Sequence, residues 1–307
     1  DNAVINWEGE VENPAFGMKD TLYRFAGGTV ILKKVKLPEV HDRYSLFAEV
    51  AEYSSGDAYD RTGTVFVIPQ GNPITFLDGL TKGHKVLPVH TDRHGNEYTG
   101  VAATADYRPP VELVRFFTPF GVRDFNDRRT VPGLVWQDSA FYKQEITRYL
   151  PLLRGEVWIG AFIGNYDRGG HRLSLRLKYY PETRDLEPGR SAESWISSVF
   201  NTLPIMEMAG QQYGTMFDGD TLSVSVDIPE GLKLLQMVFI TTGHGGWGGG
   251  DEFNPKLNEL LVDGRRVWSY VPWRSDCGTY RNLNPASGNF WNGLSSSDYS
   301  RSGWCPG

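Results

Sequence analysis

Short segments of alternating or uniformly apolar residues recur along the whole chain and predict an all-β protein. Most are roughly five to ten residues long and end at glycine, proline or aspartate, as the strands of antiparallel sandwiches do. The predicted strands are Thr29–Leu37, Tyr44–Tyr53, Gly63–Ile68, Glu112–Phe117, Val157–Ile163, Leu173–Tyr180, Thr221–Val226, Leu232–Thr241 and Glu259–Val262. Helical patterns are sparse. Gln144–Leu153 predicts a helical turn, and Ala192–Thr202 predicts an amphipathic helix with Ser191 as its N-cap.

One polar stretch divides the chain. Pro181–Arg190 is charged, contains proline and lacks apolar periodicity, which is typical of a solvated connector. We therefore expect one domain at residues 1–182 and a second at 183–307, with the functional site built from loops at their junction. Within the first domain, Pro69–Pro110 predicts an elaborated loop or hairpin.

The charge and hydropathy of the chain exclude several partners. The net charge is −6 and no basic stripe is present, which argues against nucleic acid as a ligand. No apolar run approaches the ~18 residues that a membrane span requires. No charged-then-apolar leader precedes Asp1, so we expect that any signal peptide is missing from this sequence.

The two cysteines, Cys277 and Cys305, bracket a tail rich in glycine, asparagine and serine that has little apolar pattern. A disulfide would close this tail and would place the protein in an oxidising compartment, outside the cell or in the periplasm. The alternative is two unrelated free thiols.

A glycine-rich loop follows the predicted strand Leu232–Thr241. Gly243–Gly248 satisfies GxGxxG, but the chain lacks the strand–helix alternation of a dinucleotide fold, and Pro255 opposes a helix after the motif. The loop also carries His244, Trp247 and Glu252. Glycines let the backbone approach a ligand closely, and a tryptophan offers a flat face to a sugar ring. The alternative is a wide turn whose acids face water.

An aspartate-rich segment lies between two confident strands. Asp57, Asp60 and Arg61 cluster there with Tyr59. Paired acids in a loop suit general acid–base chemistry. Aspartates in a turn also cap their own backbone, and composition alone favours this second interpretation.

Other catalytic chemistries find little support in the sequence. His90, Asp92 and His94 alternate and could bind a divalent metal from one face of a strand, but their polar surroundings favour a surface hairpin tip. No HExxH or GxSxG motif occurs. We therefore expect no metal and no cofactor.

Several segments taken together resemble the peptide-N-glycosidase F family, in order from about Thr29 to Gly307. The most specific is the closing RSGWCPG with a cysteine upstream. The matching segments are Tyr59-Asp60-Arg61 before a strand, Arg115–Pro119 (RFFTP), Glu145–Gly155, Glu252 ahead of Glu259–Val262, and Arg301–Gly307 with Cys277.

The resemblance implies two adjacent antiparallel eight-stranded jelly-roll sandwiches with the site in the cleft between them. It implies an amidase that hydrolyses the bond between the core N-acetylglucosamine and asparagine of N-linked glycoproteins or glycopeptides. Asp60 becomes the principal catalytic acid and Glu252 the second carboxylate. The expected substrate-binding residues are Tyr59, Arg61, Arg301, Trp247, His244, Asp57 and Asp167. The resemblance also implies a Cys277–Cys305 disulfide in a secreted bacterial protein, which we expect to be a monomer.

One departure from the family pattern narrows this expectation. The family places a third glutamate, followed by tryptophan, near the end of the first domain, whereas Trp158–Tyr166 contains no acid. Asp167 lies nearby and is only a candidate substitute. Two alternatives therefore remain, a non-catalytic N-glycan-binding protein and an endo-acting glycoside hydrolase that uses Asp60 and Glu252 as its acid pair.

Overall fold

The structure is a computed structural model. It describes residues 1–7, 13–18, 20–39, 44–129, 131–181, 194–203, 216–217, 220–244, 250–302 and 305. Strands dominate the described residues, and the predicted all-β class is confirmed. The strands are β1 (Ala3–Ile5), β2 (Leu22–Phe25), β3 (Val30–Lys36), β4 (Tyr44–Ser54), β5 (Thr62–Val67), β6 (Val89–Thr91), β7 (Glu97–Thr99), β8 (Val111–Phe117), β9 (Ser139–Glu145), β10 (Glu156–Ile163), β11 (His171–Pro181), β12 (Asn258–Val262), β13 (Arg265–Tyr270), β14 (Trp273–Arg274) and β15 (Arg301–Ser302).

Two antiparallel sheets form the first half of the chain. One has the strand order β1-β11-β4-β9 and the other has the order β2-β3-β10-β5-β8. Their facing side chains make one core that includes Leu46, Val50, Val65, Ile159 and Leu173. Every residue of β5 is buried, because a second apolar cluster covers the outer face of its sheet.

The elaboration predicted at Pro69–Pro110 supplies five of the thirteen buried residues of that second cluster. It holds the helix α1 (Phe76–Lys82) and the hairpin β6–β7, and it buries Phe76 and Tyr107 against Phe66 and Phe162. The predicted hairpin is confirmed, and the helix is an addition. The backbone N–H of Thr75 donates to the Asp78 carboxylate at 2.8 Å, which satisfies one of the donors at the start of α1.

Of the two helical predictions, one is confirmed in part and the other is wrong over its described residues. Gln144–Leu153 begins at the end of β9 and continues as a 3₁₀ helix at Thr147–Leu152. The predicted helix at Ala192–Thr202 is wrong over its described part, residues 194–202, where Phe200 instead bridges to Ala102. A four-residue helix, α2 (Phe125–Arg128), was not predicted. No helix among the described residues is long and apolar enough to cross a membrane.

The second half contributes fewer described strands. β12 pairs with β13 and β14 pairs with β15. The predicted strands Thr221–Val226 and Leu232–Thr241 are wrong, since residues 220–244 contain no strand. A strand needs a hydrogen-bonded partner, and no described residue pairs with this segment. The eight-stranded jelly-roll connectivity and the boundary at residue 182 stay predictions.

The C-terminal tail packs on the first half. The backbone N–H of Phe120 donates to the carbonyl of Ala286 at 3.0 Å, and the backbone N–H of Asn289 donates to the Asn126 side chain at 2.8 Å. Gly288 lies so close to Phe120 that an added Cβ would meet its carbonyl oxygen at 2.0 Å. The Cys277–Cys305 disulfide is present and closes the tail, which confirms that prediction.

Candidate functional site

The loop between β4 and β5 holds Asp60 in a fixed backbone shape. Asp57 Oδ1 accepts the Tyr59 backbone N–H at 3.1 Å, which makes an Asx turn. On the other side, the Thr118 hydroxyl accepts the Arg61 backbone N–H at 2.8 Å and donates to the Tyr59 carbonyl at 2.9 Å. The loop is therefore anchored on both sides of Asp60.

Asp60 is the buried acid of this loop, only 8% exposed. Its Oδ2 atom makes no hydrogen bond to any described residue. Burial raises the pKa of the Asp60 carboxyl to about 6; the charge of Glu252 adds to the rise, and those of His244 and Arg301 oppose it. A carboxyl tuned to this range is suited to accept and return a proton near neutral pH.

Glu252 and Arg301 come from the second half of the chain and meet beside Asp60. Arg301 Nε lies 3.1 Å from Glu252 Oε1, and both side chains are almost fully buried. The guanidinium stacks on the Phe253 ring at 4.1 Å. Burial lowers the pKa of Arg301, whereas the charges of Asp60 and Glu252 oppose that shift. Arg301 remains a cation at any ordinary pH.

The tail places Arg301 through its own local structure. Arg301 starts β15, whose partner residue in β14 is Arg274. The disulfide joins Cys277, three residues after β14, to Cys305, three residues after β15. His244 reaches the site from the start of the glycine-rich loop, and its Nε2 lies 3.0 Å from the Asp60 carbonyl oxygen. The two halves of the chain therefore converge on Asp60.

A flat polar rim borders this centre. The Arg61 guanidinium carbon lies 4.9 Å from the centre of the Tyr59 ring and 5.6 Å from that of Tyr166. Tyr59 is 51% exposed and Tyr166 58% exposed. The Trp7 ring continues the row, 5.7 Å from Tyr166. Exposed rings beside an arginine present stacking faces and hydrogen-bond donors, which is what a sugar needs.

The other predicted site residues lie around this centre. Asp57 is buried beneath Arg61, with its Oδ2 2.7 Å from Arg61 Nε. Asp167 Oδ1 accepts the Gly169 backbone N–H at 2.6 Å, so this carboxylate caps a turn. Trp247 lies outside the described residues.

The segment from His90 to His94, which was considered as a metal site, lies in the β6–β7 hairpin. Asp92 Oδ1 accepts the backbone N–H groups of His94 and Asn96, each at 2.8 Å, and so shapes the tip of the β6–β7 hairpin. The predicted surface hairpin is confirmed. Among the described residues, one group of potential ligands clusters closely, Asp276 with Cys277 and Cys305, but its two sulfur atoms are bonded to each other.

Sequence reasoning missed two residues beneath the site, Glu52 and His171. His171 Nδ1 lies 2.7 Å from Glu52 Oε1, and both side chains are fully buried. A signal was present, because Glu52 shares a strand face with the buried Leu46, Ala48 and Val50. A charged residue on the core-facing side of a strand needs a partner, and sometimes a function, to be kept there.

Comparisons with known proteins relate both halves of the chain to one family. The family profile "Peptide-N-glycosidase F, N terminal" matches residues 1–179, and "Peptide-N-glycosidase F, C terminal" matches residues 212–307. A structure of PNGF-II in space group P21 is 49% identical with a TM-score of 0.87 and covers 100% of this chain. A second PNGF-II structure, in space group C2, is 46% identical, with a TM-score of 0.80 and the same coverage. A search of curated proteins gives no significant match.

The chain spans 56% of the PNGF-II chain in the first of these structures and 55% in the second. PNGase F from Flavobacterium meningosepticum, described as a glycosylasparaginase, is 14% identical over 91% of this chain and 74% of its own, with a TM-score of 0.46. The two profiles and the PNGF-II likeness together cover both halves that converge on Asp60, and on them the chain belongs to the peptide-N-glycosidase F family.

Proposed function

We propose that the protein hydrolyses the amide between the core N-acetylglucosamine and asparagine of N-linked glycoproteins or glycopeptides, releasing the glycan and leaving aspartate. The observation that carries the proposal is the buried Asp60 carboxyl. Its Oδ2 has no described partner, its pKa is raised to about 6, and a second carboxylate held by an arginine lies beside it. Family membership supports the same activity.

Asp60 is the proton carrier in this proposal. Its carboxylate takes a proton from a water molecule as the water oxygen attacks the amide carbonyl of the asparagine side chain. The same proton then passes to the departing nitrogen when the C–N bond breaks. The products are an aspartate side chain and a glycosylamine, which accounts for every atom of the amide and the water. General acid–base catalysis of this kind contributes about 10²–10⁴-fold to a rate.

Glu252 and Arg301 orient the reactants. Glu252 holds the attacking water or the acetamido group of the first sugar, and Arg301 fixes the Glu252 carboxylate through the 3.1 Å contact at its Nε. Because Arg301 is buried, its charge acts in a medium of lower dielectric than water. Its attraction for the Glu252 carboxylate is therefore stronger than it would be at an exposed position.

The rim of Tyr59, Arg61 and Tyr166 receives the sugars. Tyr59 stands where the family has tryptophan, which exchanges a larger ring for a smaller one with a hydroxyl. Stacking on an exposed tyrosine orients a pyranose ring, and Arg61 between the two rings donates to sugar hydroxyls. We expect Tyr166→Ala to raise KM for a glycopeptide severalfold and to leave kcat within a factor of about three.

The test is digestion of an N-glycopeptide read by mass spectrometry, with the variants Asp60→Asn and Glu252→Gln. Wild type should convert the glycosylated asparagine to aspartate. Asp60→Asn should lose about 10³-fold or more in kcat, and Glu252→Gln most of its activity. Asp92→Asn is the matched control, because Asp92 is equally buried but shapes a hairpin tip. It should keep full activity.

The same spectra separate the alternatives. Glycan cleavage that leaves one N-acetylglucosamine on the peptide would identify a glycoside hydrolase instead. Binding of the glycopeptide without any mass change in wild type would identify a glycan-binding protein. Full activity in folded Asp60→Asn would refute the assignment of Asp60.

The disulfide supports a secreted or periplasmic location, because such bonds persist in oxidising compartments. We propose that the protein acts there as a monomer on a protein or peptide substrate. Sedimentation of the oxidised protein checks the monomer, and a stable dimer would contradict it.

A further inference from the structure

A row of four alternating charges runs from the interior of the four-stranded sheet to Arg61. Glu52 Oε1 lies 2.7 Å from His171 Nδ1, and His171 Nε2 lies 3.5 Å from Asp57 Oδ2. Asp57 in turn contacts Arg61 twice, at 2.7 Å to Nε and 3.2 Å to Nη2. The distance between His171 and Asp57 is that of an ion pair rather than of a hydrogen bond. We call these four residues the charge row.

Within the charge row, His171 and Asp57 favour each other's charged forms, whereas burial disfavours the charged form of Glu52. Burial opposes protonation of His171, but its interactions with the Asp57 and Glu52 carboxylates outweigh burial and raise its pKa. Burial likewise opposes ionisation of Asp57, and His171 and Arg61 outweigh it and lower the pKa of that carboxyl. For Glu52 burial prevails, and its pKa is raised although His171 opposes the rise.

The charge row is an unusual way to fill a sheet interior. A buried ion pair contributes little or negative net stability compared with apolar side chains of the same volume. This one ends at a residue of the site rather than in the core. Asp57 also accepts the Tyr59 backbone N–H at 3.1 Å, and Tyr59 directly precedes Asp60 in the chain. The carboxylate of Asp57 therefore sets both the guanidinium of Arg61 and the backbone before the proposed proton carrier.

We propose that Glu52, His171 and Asp57 position Arg61 and the Asp60 loop for the reaction, so that His171 is a positioning residue that touches no substrate. The inference deepens the proposed function and rests on it for its kinetic consequences. The geometry of Arg61, however, is testable without catalysis. A displacement of a catalytic group by about 1 Å costs about a hundredfold in rate. The loss of the contacts that hold Arg61 and the Asp60 loop should therefore be measurable as a loss of rate.

The main variant is the double substitution Glu52→Gln and His171→Gln, which removes both charges together and leaves no lone buried ion. Glu49→Gln is the matched control. Glu49 lies on the same strand, is also buried, and pairs with Lys178 at 2.8 Å away from the charge row. The double variant should lower kcat per folded molecule by about thirtyfold because the Asp60 loop shifts, and should raise KM severalfold because Arg61 also contacts the sugars. The control should leave both constants within about twofold.

A second readout follows Arg61 directly. In ¹⁵N spectra the Arg61 Nε–H signal, assigned by its loss in Arg61→Lys, should exchange with water at least tenfold faster in the double variant than in wild type or the control. Unchanged exchange together with unchanged kcat per folded molecule would overturn the proposal. If the double variant does not fold, Glu52→Gln alone carries the test, with smaller changes in the same direction expected and unchanged values again refuting it.

Failure of the proposed amidase activity and failure of the positioning role give different experimental results. A wild-type protein that releases no glycan would refute the amidase, while the Nε–H exchange would still show whether the charge row positions Arg61. Faster exchange in the double variant with unchanged kcat in an active enzyme would show that Arg61 is held but is not used, which overturns the positioning role.

Discussion

Replacing Asp60 with asparagine should stabilise the protein while it abolishes activity, because the fold holds this carboxyl in an environment that opposes its charge. The pKa of Asp60 is raised from an ordinary 3.8 to about 6, mainly by burial. The unfolded chain ionises Asp60 at the ordinary value, so above that pH ionisation favours the unfolded state. Asparagine has the same shape and no charge to desolvate.

The magnitude follows from that difference in pKa. At about 1.4 kcal/mol per pH unit, a rise from 3.8 to about 6 amounts to about 3 kcal/mol. Asp60 is an acid whose pKa is higher in the folded protein than in the unfolded chain, and this fixes the sign of the pH dependence of stability. The stability of wild type relative to the variant is fully present below pH 3.8 and is lost as the pH rises to about 6. The free energy of unfolding of Asp60→Asn should therefore equal that of wild type near pH 3.5 and exceed it by about 3 kcal/mol at pH 7 and above.

Urea unfolding of both proteins at a series of pH values from 3.5 to 8 measures the effect, with equal m-values as the check on two-state behaviour. Asp78→Asn is the matched control. Bonds to Lys82 and Thr75 hold the pKa of Asp78 below its ordinary value despite some burial, so its loss should destabilise above about pH 4. An Asp60→Asn variant that is no more stable than wild type at pH 7, or whose advantage does not vary with pH, would refute the reasoning.

Three further predictions follow from the same structure. The kcat/KM of wild type should rise about tenfold per pH unit below pH 6 and level off above it, because the ionised Asp60 is the active form; a flat or falling profile would contradict that role. Replacing Cys277 and Cys305 with serine should lower the free energy of unfolding by about 3–4 kcal/mol. It should also lower glycan release per folded molecule, because the tail carries Arg301. Activity per folded molecule equal to that of wild type would argue against this role of the tail. Gly160→Ala should cost about 1–3 kcal/mol in urea unfolding, since its Cβ would lie 2.3 Å from the Phe66 ring; an unchanged midpoint would show that the sheet repacks.

Six strands of the first half, β3, β4, β5, β8, β10 and β11, were predictable because each carries its own apolar signal. Tyr44–Tyr53 and Val157–Ile163 were placed within one residue of β4 and β10. β9 escaped prediction because six of its seven residues are exposed or only partly buried, so it lacks the apolar alternation that marks a strand. The segment from Thr221 to Thr241 failed in the opposite way, since its apolar residues alternate but no described residue pairs with them.

The residues of the site differ in how they could be predicted from the sequence. Asp60, Glu252 and Arg301 were found by resemblance, and composition alone left Asp60 as one acid of a turn. His171 and Glu52 lie 119 positions apart in the chain, and their contact depends on the pairing of β11 with β4. A pattern read along one strand does not reveal which strand lies beside it, because pairing is set by the whole sheet. For that reason a positioning residue is harder to predict than the residue it positions.

The stretch in which the resemblance would place a third glutamate lies mostly in the buried strand β10. Along β10 the odd-numbered Ile159, Ala161 and Ile163 face the core between the sheets, and Phe162 faces the outer cluster. A carboxylate at any of these positions would be buried without a partner at a cost of several kcal/mol. The chain reaches the rim only beyond this strand, where Tyr166 stacks beside Arg61. In the proposed mechanism, any third contribution at this rim comes from a ring and an arginine rather than from an acid, while Asp60 carries the proton and Glu252 orients the reactants.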